Sequence, residues 1–170
     1  MSDEIFDIVN EHDEVIGREL RRIVHRTGLR HRAVHVFIFN ARGEVFLQKR
    51  SMSKDSSPGL WDSSASGHLD AGEDYDACAV RELREEIGLV ATVPPRRVFK
   101  IGACAQTGQE FVWLYHGESE GPFTLHPEEI ERGEWFTAAR VTAWVRERPE
   151  DFAPAFVLLW EKFSSDSAQL

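Results

Sequence analysis

The segment Gly67–Val90, GHLDAGEDYDACAVRELREEIGLV, limits what this chain can fold into more than any other stretch. Its first part is rich in glycine and aspartate and predicts a tight loop, because these residues tolerate sharp turns. Its second part predicts a helix that ends before Gly88, which stands where a C′ glycine follows the last helical turn. We therefore expect a loop, a helix and a stop signal within this one segment.

Three glutamates lie close together on the predicted helix. Because a helix turns about 100° per residue, Glu82, Glu85 and Glu86 fall within roughly 100° of arc. That arc borders an apolar stripe, which consists of Ala79, Leu83 and Ile87. Carboxylates clustered beside a buried face repel one another unless cations neutralise them. The pattern leaves two interpretations open: a site for a hard cation such as Mg²⁺, or a solvated acidic face paired with Arg81 and Arg84.

The composition is that of a folded domain with an acidic surface. The chain has 170 residues, of which 42% are hydrophobic and 29% charged, and its formal net charge is −9. We expect a single domain over residues 1–170. The acidic balance argues against a nucleic acid polymer as partner, since such binding needs a basic surface. No apolar run reaches the ~20 residues of a membrane span and the N-terminus lacks a signal-peptide pattern, so we expect a cytoplasmic protein without a membrane partner.

The rest of the chain alternates strand and helix patterns and predicts a mixed α/β (α+β) fold. Residues 5–20 predict an N-terminal β-hairpin, and residues 21–32 a short basic segment that could be helical. Further strands are predicted over 33–40, 44–50, 97–106 and 110–118, with a loop over 51–62. The C-terminal part predicts a short strand, two helices and a frayed tail, at 134–136, from about 138, at 151–163 and at 164–170.

Nine positions in the central segment resemble the Nudix box in identity and spacing: Gly67, Glu73, Arg81-Glu82-Leu83, Glu85-Glu86 and Gly88-Leu89. The box would span residues 67–89, and the wider resemblance covers about residues 30–160. It implies a Nudix fold, in which a mixed β-sheet lies between helices. It also implies a hydrolase that uses Mg²⁺ or Mn²⁺ to cleave a diphosphate bond in a nucleoside diphosphate derivative or a related small-molecule diphosphate.

The same resemblance assigns roles to individual residues. It implies that Glu82 and Glu86 are the principal metal ligands, that Glu85 is a further ligand, direct or through water, and that the Gly67 carbonyl completes the set. Arg81 would orient and partly neutralise the glutamates. The general base varies across the family, so Glu85, Glu82 and Glu110 all stay open as candidates.

A narrower resemblance links the preceding segment to type I isopentenyl-diphosphate isomerases, which share the Nudix fold. It is carried by FN-x-x-G, KR-x-x-SK, PG-x-W and the Gly-His pair that ends at His68. In those enzymes histidines at or near the places of His68, His25 and His31 bind metal. An arginine and a lysine at the places of Arg50 and Lys54 hold the diphosphate.

Two departures argue against isomerase activity. Ser66 stands where the isomerases have a catalytic cysteine, and neither Cys78 nor Cys104 can replace it from its position in the sequence. The isomerases carry two glutamates on a later strand, whereas here Glu110 fits one and Gly108 stands at the other. In addition, the isomerases lose part of the set of box glutamates, whereas this chain keeps all of it.

Several of these residues have a simpler interpretation. A structural or surface role is favoured for His25 and His31, while ligand and structural roles are balanced for His68. Arg50 and Lys54 are expected to bind phosphate, with loop solvation as the alternative. Aromatic residues on the strand at 110–118 could stack on a nucleobase or pack in the sheet, namely Phe111 and Trp113.

The leading hypothesis is thus a metal-dependent Nudix hydrolase. The alternatives are an isopentenyl-diphosphate isomerase and a non-catalytic nucleotide sensor. The N-terminal hairpin and the last apolar helix leave a homodimer open. The physiological substrate has no recognised signature in the sequence.

Overall fold

The computed structural model describes residues 3–167. The chain begins with the predicted antiparallel hairpin, β1 (Ile5–Val9) and β2 (Val15–Leu20), followed by a short helix, α1 (Arg21–Thr27). The hairpin turn is held by Asn10, whose side-chain oxygen accepts hydrogen bonds from the backbone N–H groups of His12 and Glu14. Such a turn is the expected use of asparagine.

A seven-stranded mixed sheet forms the centre of the molecule, as the Nudix resemblance implied. Its strands are β3 (His31–Phe39), β4 (Glu44–Arg50), β5 (Trp61–Asp62), β6 (Ala65–His68), β7 (Arg96–Ile101), β8 (Glu110–Glu118) and β9 (Ile130–Thr137). The order is β5-β4-β3-β8-β7, with β6 paired to β3 and β9 to β4. The β3–β8 pair is parallel and the other pairs are antiparallel.

The sheet opens into a fork between β3 and β4. These two strands pair only at Ile38–Phe39 with Val45–Phe46. Nearer the N-terminal end of β3, residues Ala33–Val36 pair with β6 instead. The short strand β6 therefore lies inside the fork, and its Gly67 stands next to the helix that carries the three glutamates.

Helices cover both faces of the sheet. The helix α2 (Tyr75–Ile87) packs on one face, while α3 (Ala138–Glu147) and α4 (Pro154–Ser167) pack on the other. Side chains of β3 alternate between the two layers, as a doubly covered strand requires. Toward α2 point Val34, Val36 and Ile38, and toward α3 and α4 point Ala33 and Phe37. None of the helices within residues 3–167 is long and apolar enough to cross a membrane.

Several predicted boundaries were wrong for reasons of tertiary structure. The strand expected at 97–106 ends at Ile101, and the chain then turns before β8. The strand expected at 134–136 extends over Ile130–Thr137, because it pairs with β4 along most of its length. Helix α4 continues to Ser167 instead of fraying from residue 164. The last three residues of the predicted tail lie outside the described part of the chain.

Candidate active site with two clusters of ligand side chains

A cavity of about 890 Å³ opens at the fork in the sheet. Its walls come from α1, β3, β6, α2, the start of β8 and the start of α4. One side of it is formed by glutamates of α2, and another by histidines from three different elements. The glutamates, Arg81, Gly67, His68, Arg50 and Lys54, which the sequence named as candidate site residues, all line this cavity. Of the two other histidines, His25 lines the cavity as well, whereas His31 lies behind the lining residues.

The helix α2 is capped at both ends, and Gly88 stands where the sequence predicted its C-terminal glycine. At its start the Asp74 carboxylate accepts the Ala77 backbone N–H, which is an N-cap. At its end Gly88 has a φ of 67°, and its N–H donates to the Arg84 carbonyl. Leu83 and Ile87 are fully buried between these caps. Their burial fixes the rotation of the helix and turns its glutamate arc toward the cavity.

Two of the three glutamates point inward. Glu82 is 9% exposed and Glu86 is 6% exposed, whereas about half of the Glu85 side chain reaches solvent at the rim. The Glu86 carboxylate accepts the Ser66 backbone N–H at 2.7 Å. A Cβ on Gly67 would lie 2.1 Å from the Glu82 carboxylate oxygen, so only glycine lets this carboxylate lie against β6.

Arg81 links the glutamates to the loop that precedes the helix. Its guanidinium donates two hydrogen bonds to Glu73, at 2.8 and 2.9 Å. It also donates to Glu82 at 2.8 Å, to Glu85 at 3.1 Å and to the His68 carbonyl at 2.9 Å. Glu73 in turn accepts the Asp70 backbone N–H and so braces the loop. The Arg81 guanidinium therefore pairs with the carboxylates of Glu73, Glu82 and Glu85, whereas the Glu86 carboxylate is held by the Ser66 backbone N–H.

The electrostatics of this wall fit a bound cation. Burial raises the pKa of Glu82, and the charge of Glu86 raises it further. Burial also raises the pKa of Glu86 against the opposing hydrogen bond from Ser66. Two buried carboxylates that are hard to ionise, with a glycine cradle beside one of them, form an oxygen-rich site of the kind that hard divalent ions bind.

The second cluster consists of His25, His31, His68 and Glu110, whose potential ligand atoms lie within 4.8 Å of one another. His25 comes from α1, whereas the other three are brought together by strand register. In the parallel pair of β3 and β8, His31 is opposite Glu110. In the antiparallel pair of β3 and β6, Ala33 is opposite His68. The sequence favoured non-ligand roles for His25 and His31, and their convergence was not visible in it.

His31 carries the clearest sign of an absent ligand. Its Nδ1 donates to the Leu29 carbonyl at 2.8 Å, because a carbonyl can only accept. In the neutral ring Nε2 then presents a lone pair, and this buried atom has no hydrogen-bond partner. It lies 3.4 Å from the Glu110 carboxylate. Two electron-rich groups in contact fit a metal ion better than they fit each other.

Glu110 differs from the box glutamates in its ionisation. Burial alone would raise the pKa of Glu110, but its interactions with His68 and His31 hold it well below its ordinary value. Its carboxylate lies 2.7 Å from His68 Nε2. Burial, together with His68 and His31, lowers the pKa of His25 to about 4. The cluster therefore offers one carboxylate that ionises readily, together with three imidazoles.

The N-terminal hairpin supports the histidine cluster through Phe6. Its ring stacks on His68 at 4.9 Å and on His31 at 5.6 Å between centroids, and it contacts His25 at 5.9 Å. Phe6 is 1% exposed. Sequence reasoning missed this residue, since the only signal was an apolar position in a hairpin strand.

The two predicted phosphate-binding cations line the cavity but are engaged by protein carboxylates. Arg50 donates to Asp62 at 3.2 Å and to the Ser56 carbonyl at 3.1 Å. Lys54 donates to Glu129. Both remain on the cavity wall, together with Ser66.

The remaining sequence candidates lie elsewhere. Burial raises the pKa of the Cys78 thiol, which lies on α2 and not at the place of Ser66. Trp113 packs beside the α2 core under Arg97, and Phe111 lies under Lys100. Neither aromatic side chain belongs to the cavity lining among the described residues, so strand packing accounts for both.

Comparisons with known proteins agree with this geometry. The family model for the NUDIX domain matches residues 29–156. An isopentenyl-diphosphate Delta-isomerase from Serratia proteamaculans is 32% identical over 98% of this chain and 95% of its own length. A Yersinia pestis protein named as an uncharacterized Nudix hydrolase, YPO2781, is 36% identical over 87% of this chain and 79% of its own length. The crystal structure of DR0079 from Deinococcus radiodurans superposes with a TM-score of 0.70 at 31% identity, covering 82% of this chain and 90% of that one.

Proposed function

Because the chain belongs to the NUDIX domain family, we propose that it is a divalent-metal-dependent hydrolase of a diphosphate bond in a nucleoside diphosphate derivative or a related organic diphosphate. One observation carries the proposal. Glu82 and Glu86 are buried side by side against Gly67 on the wall of a large cavity, and burial raises the pKa of both. A solvated acidic face, the alternative left open by the sequence, would not bury them.

In this proposal the residues of α2 have three roles, namely metal binding, positioning of a ligand and proton transfer. Glu82 and Glu86, with the Gly67 carbonyl, would hold Mg²⁺ or Mn²⁺, which when bound neutralises phosphate oxygens and activates water. Arg81 positions Glu82 through its hydrogen bond and shares its charge with Glu85. Glu85 is the candidate base best placed to take a proton from water, because it stands at the open rim of the cavity.

The histidine cluster would hold a second cation. Imidazole nitrogens suit Zn²⁺, and the carboxylate beside them is a ligand that Mn²⁺ also accepts. In this proposal His25, His31, His68 and Glu110 are ligands, so Glu110 is not free to act as the general base. Arg50 and Lys54 would bind the diphosphate after exchanging their contacts with Asp62 and Glu129 for phosphate oxygens.

The proposal also covers the domain organisation, the location and the partners of the enzyme. We assign residues 1–170 to one Nudix domain that acts in the cytoplasm on a small molecule. The net charge of −9 disfavours a nucleic acid polymer as substrate. Of the two surfaces considered for a homodimer only the hairpin is left, because the apolar side of α4, with Phe156, Leu159 and Trp160, is buried in the core.

A substrate screen tests the hydrolase proposal. Purified protein is incubated with a panel of nucleoside, sugar and isoprenoid diphosphates, with Mg²⁺, with Mn²⁺ or with a chelator. We expect release of phosphate or of a monophosphate from at least one compound, dependent on the metal. Tight binding of a nucleotide without turnover of any compound would favour the sensor hypothesis and contradict the hydrolase.

Isomerisation of isopentenyl diphosphate is the second candidate, favoured by the Serratia proteamaculans relative and by the histidine cluster. Ser66 argues against it, because a hydroxyl is far less acidic than the thiol found at this place in the isomerases. The test is NMR of isopentenyl diphosphate incubated with the protein in deuterated water. Deuterium incorporation into carbon would replace the hydrolase proposal with the isomerase, and unchanged substrate is the expected result.

A further inference from the structure

Gln48 is a buried polar residue on the face of β4 that packs against α2. It is 1% exposed and stands two residues after Phe46, whose side chain belongs to the core beneath α2. Since side chains two residues apart on a strand share a face, Gln48 also points into this layer. A polar group buried there costs free energy unless it is hydrogen-bonded, so its partners indicate why the position is polar.

The orientation of the Gln48 amide follows from its two partners. Its nitrogen, Nε2, lies 3.2 Å from the Ser64 carbonyl oxygen and 3.4 Å from Glu86 Oε1. A carbonyl oxygen can only accept, so the nitrogen of the amide, and not its oxygen, must face Ser64. That nitrogen carries two hydrogens, and the second is donated to the Glu86 carboxylate. Gln48 is therefore a hydrogen-bond donor to Glu86.

Ser64, which orients the Gln48 amide, is itself fixed where the fork in the sheet begins. Its hydroxyl accepts the backbone N–H of Ile38 at 2.8 Å and donates to the Phe46 carbonyl. Ile38 and Phe46 are opposed in the last pair before β3 and β4 separate. Ser64 is fully buried, so the carbonyl that holds the amide is tied to both strands of the fork.

Both hydrogen bonds to Glu86 end on the same carboxylate oxygen. Oε1 accepts the Ser66 backbone N–H at 2.7 Å as well as the Gln48 amide N–H. Within residues 3–167, no hydrogen bond goes to the second oxygen, Oε2. Two donors, one from β6 and one from β4, thus hold one oxygen and leave the other for a ligand in the cavity, which Glu86 lines.

Glu82 is held in a related but different way. Its Oε1 accepts a hydrogen bond from the Arg81 guanidinium at 2.8 Å, and the same oxygen lies against Gly67. A cation therefore orients Glu82, whereas neutral groups orient Glu86. Because an amide and a backbone N–H carry no net charge, they position Glu86 without cancelling the negative charge that attracts a hard divalent ion.

We propose that Gln48 is a positioning residue for the metal site, whose amide holds Oε1 of Glu86 so that Oε2 stays available to Mg²⁺. The inference rests on the proposed function, because it takes Glu86 as a metal ligand. Gln48 is not among the described residues that line the cavity, so it acts on the ion only through Glu86. Groups that orient a metal ligand typically contribute about 10- to 100-fold to metal affinity.

The variant Gln48→Met tests the proposal. Methionine keeps an unbranched side chain of similar length but lacks the amide donor. Calorimetric titration with Mg²⁺ in the absence of substrate measures the affinity directly. We expect Kd for Mg²⁺ to rise about 10-fold, at the lower end of the usual range because the bond to Glu86 is long at 3.4 Å. A rise of less than about threefold overturns the inference.

The matched control is Asn40→Ala, which removes a different buried amide. Asn40 is 9% exposed and holds the β3–β4 turn, because its side-chain oxygen accepts the backbone N–H groups of Arg42 and Glu44. It does not line the cavity. This variant should lose stability in urea denaturation, while its Kd for Mg²⁺ changes by less than about threefold. An equal rise of Kd in both variants would indicate general loosening of the fold and overturn the inference.

The Mg²⁺ dependence of hydrolysis gives a second readout. Loss of a positioning contact raises the Mg²⁺ concentration that gives half of the maximal rate, so the deficit of Gln48→Met should shrink as Mg²⁺ increases. A purely structural defect lowers the rate by the same factor at every Mg²⁺ concentration. That second result would overturn the inference.

A crystal structure of the unaltered protein soaked in Mn²⁺ decides the matter if Gln48→Met does not fold. We expect the ion at Glu86 Oε2, with Oε1 still within about 3.5 Å of Gln48 Nε2. An ion bound through Oε1, or a soaked crystal without an ion at Glu86, would overturn the inference.

The outcomes also separate this inference from the hydrolase proposal. Metal-dependent hydrolysis, together with equal Mg²⁺ affinity of Gln48→Met and the unaltered protein, removes the role of Gln48 and leaves the hydrolase proposal standing. Weaker Mg²⁺ binding by Gln48→Met, with no compound hydrolysed by either protein, supports the role of Gln48 and contradicts the hydrolase proposal.

Discussion

The glutamate wall, which consists of Glu82, Glu85 and Glu86 on α2, and the histidine cluster belong to one site but are built in different ways. The glutamate wall comes from one contiguous segment, Gly67–Gly88, whose helix periodicity and end signals fix its geometry locally. The histidine cluster joins α1, β3, β6 and β8, and it depends on the hairpin through Phe6. The glutamate wall therefore follows from short-range sequence pattern, whereas the histidine cluster exists only when strand register and the N-terminal segment are in place.

Their charges differ as well. Burial raises the pKa of Glu82 and Glu86 at the wall, whereas the histidines hold the pKa of Glu110 down. The wall therefore has excess negative charge for a hard ion, and the cluster has imidazoles for a softer one. Variants that alter one centre and leave the other unchanged test whether the two centres are independent.

Gly67→Ala should have the largest effect. The added Cβ would lie 2.1 Å from the Glu82 carboxylate, so either β6 or α2 must move. We expect Mg²⁺-dependent hydrolysis to fall by at least ~100-fold, because small displacements at a catalytic site cost about that much. Steady-state kinetics measure it, with Gly17→Ala as the control, since a Cβ at Gly17 meets nothing within 4 Å. A Gly67→Ala enzyme of normal activity would show that the cradle is dispensable.

His31→Ala should act on the other centre. The substitution removes one of the four proposed ligands, and we expect Mn²⁺ or Zn²⁺ affinity at this centre to fall by about 10- to 100-fold. Calorimetric titration should show it, while Mg²⁺ binding at the glutamate wall changes by less than threefold. The matched control is His12→Ala, whose ring is exposed on the hairpin turn. Equal loss at both centres would mean that they are not separable.

Asp13→Asn should loosen the hairpin that the histidine cluster depends on. The Asp13 carboxylate accepts hydrogen bonds from Arg32 at 2.7 Å, from Tyr75 at 2.7 Å and from Lys100, on three other elements. We expect the free energy of unfolding to fall by about 2 kcal/mol, because charged hydrogen bonds are lost. Urea denaturation at pH 7 measures this, and a loss below about 0.5 kcal/mol would contradict it.

The same variant has a predictable pH dependence. Burial would raise the pKa of Asp13, but its hydrogen bonds with Lys100, Arg32 and Tyr75 lower it below the usual 3.8. Since the folded-state pKa is depressed, the stabilisation is complete above 3.8 and is lost as pH falls through the folded-state value. The difference in stability between the unaltered protein and Asp13→Asn should therefore shrink below pH 4. A difference that grew on acidification would contradict the assignment.

Phe6→Leu should have the smallest effect. It keeps an apolar side chain under the imidazoles but removes the stacking on His68 and His31. Aromatic pairs contribute about 0.5–1.5 kcal/mol beyond burial, so the affinity of the histidine cluster for Mn²⁺ should fall about threefold. Titration alongside His31→Ala shows whether Phe6 only orients the rings. A loss as large as that of His31→Ala would assign it a greater role.

Local rules predicted much of this molecule. The hairpin, the strands predicted at 33–40 and 44–50, the helix α2 with its terminal Gly88 and the glutamate arc all follow from periodicity and end signals read over a few residues. The fork in the sheet does not, because it depends on which strand pairs with β3 along its length. The length of β9 is set by pairing with β4, and no pattern within β9 encodes it.

The histidines show the same limit at the level of the site. His25, His31 and His68 are spread along the chain, and each has an ordinary structural interpretation in isolation. The registers that place His31 beside Glu110 and His68 beside Ala33 bring those residues together, and α1 adds His25.

The most direct test of the hydrolase assignment is the rate of diphosphate hydrolysis as a function of Mg²⁺ concentration in three proteins. These are the unaltered chain, Glu86→Gln and the control Glu161→Gln, which changes an exposed glutamate on α4. Loss of a metal ligand costs several kcal/mol of transition-state stabilisation. We predict that Glu86→Gln loses at least ~100-fold in rate and that Glu161→Gln loses nothing. Full activity of Glu86→Gln at the same Mg²⁺ concentration would contradict the assignment of the glutamate wall as the metal site.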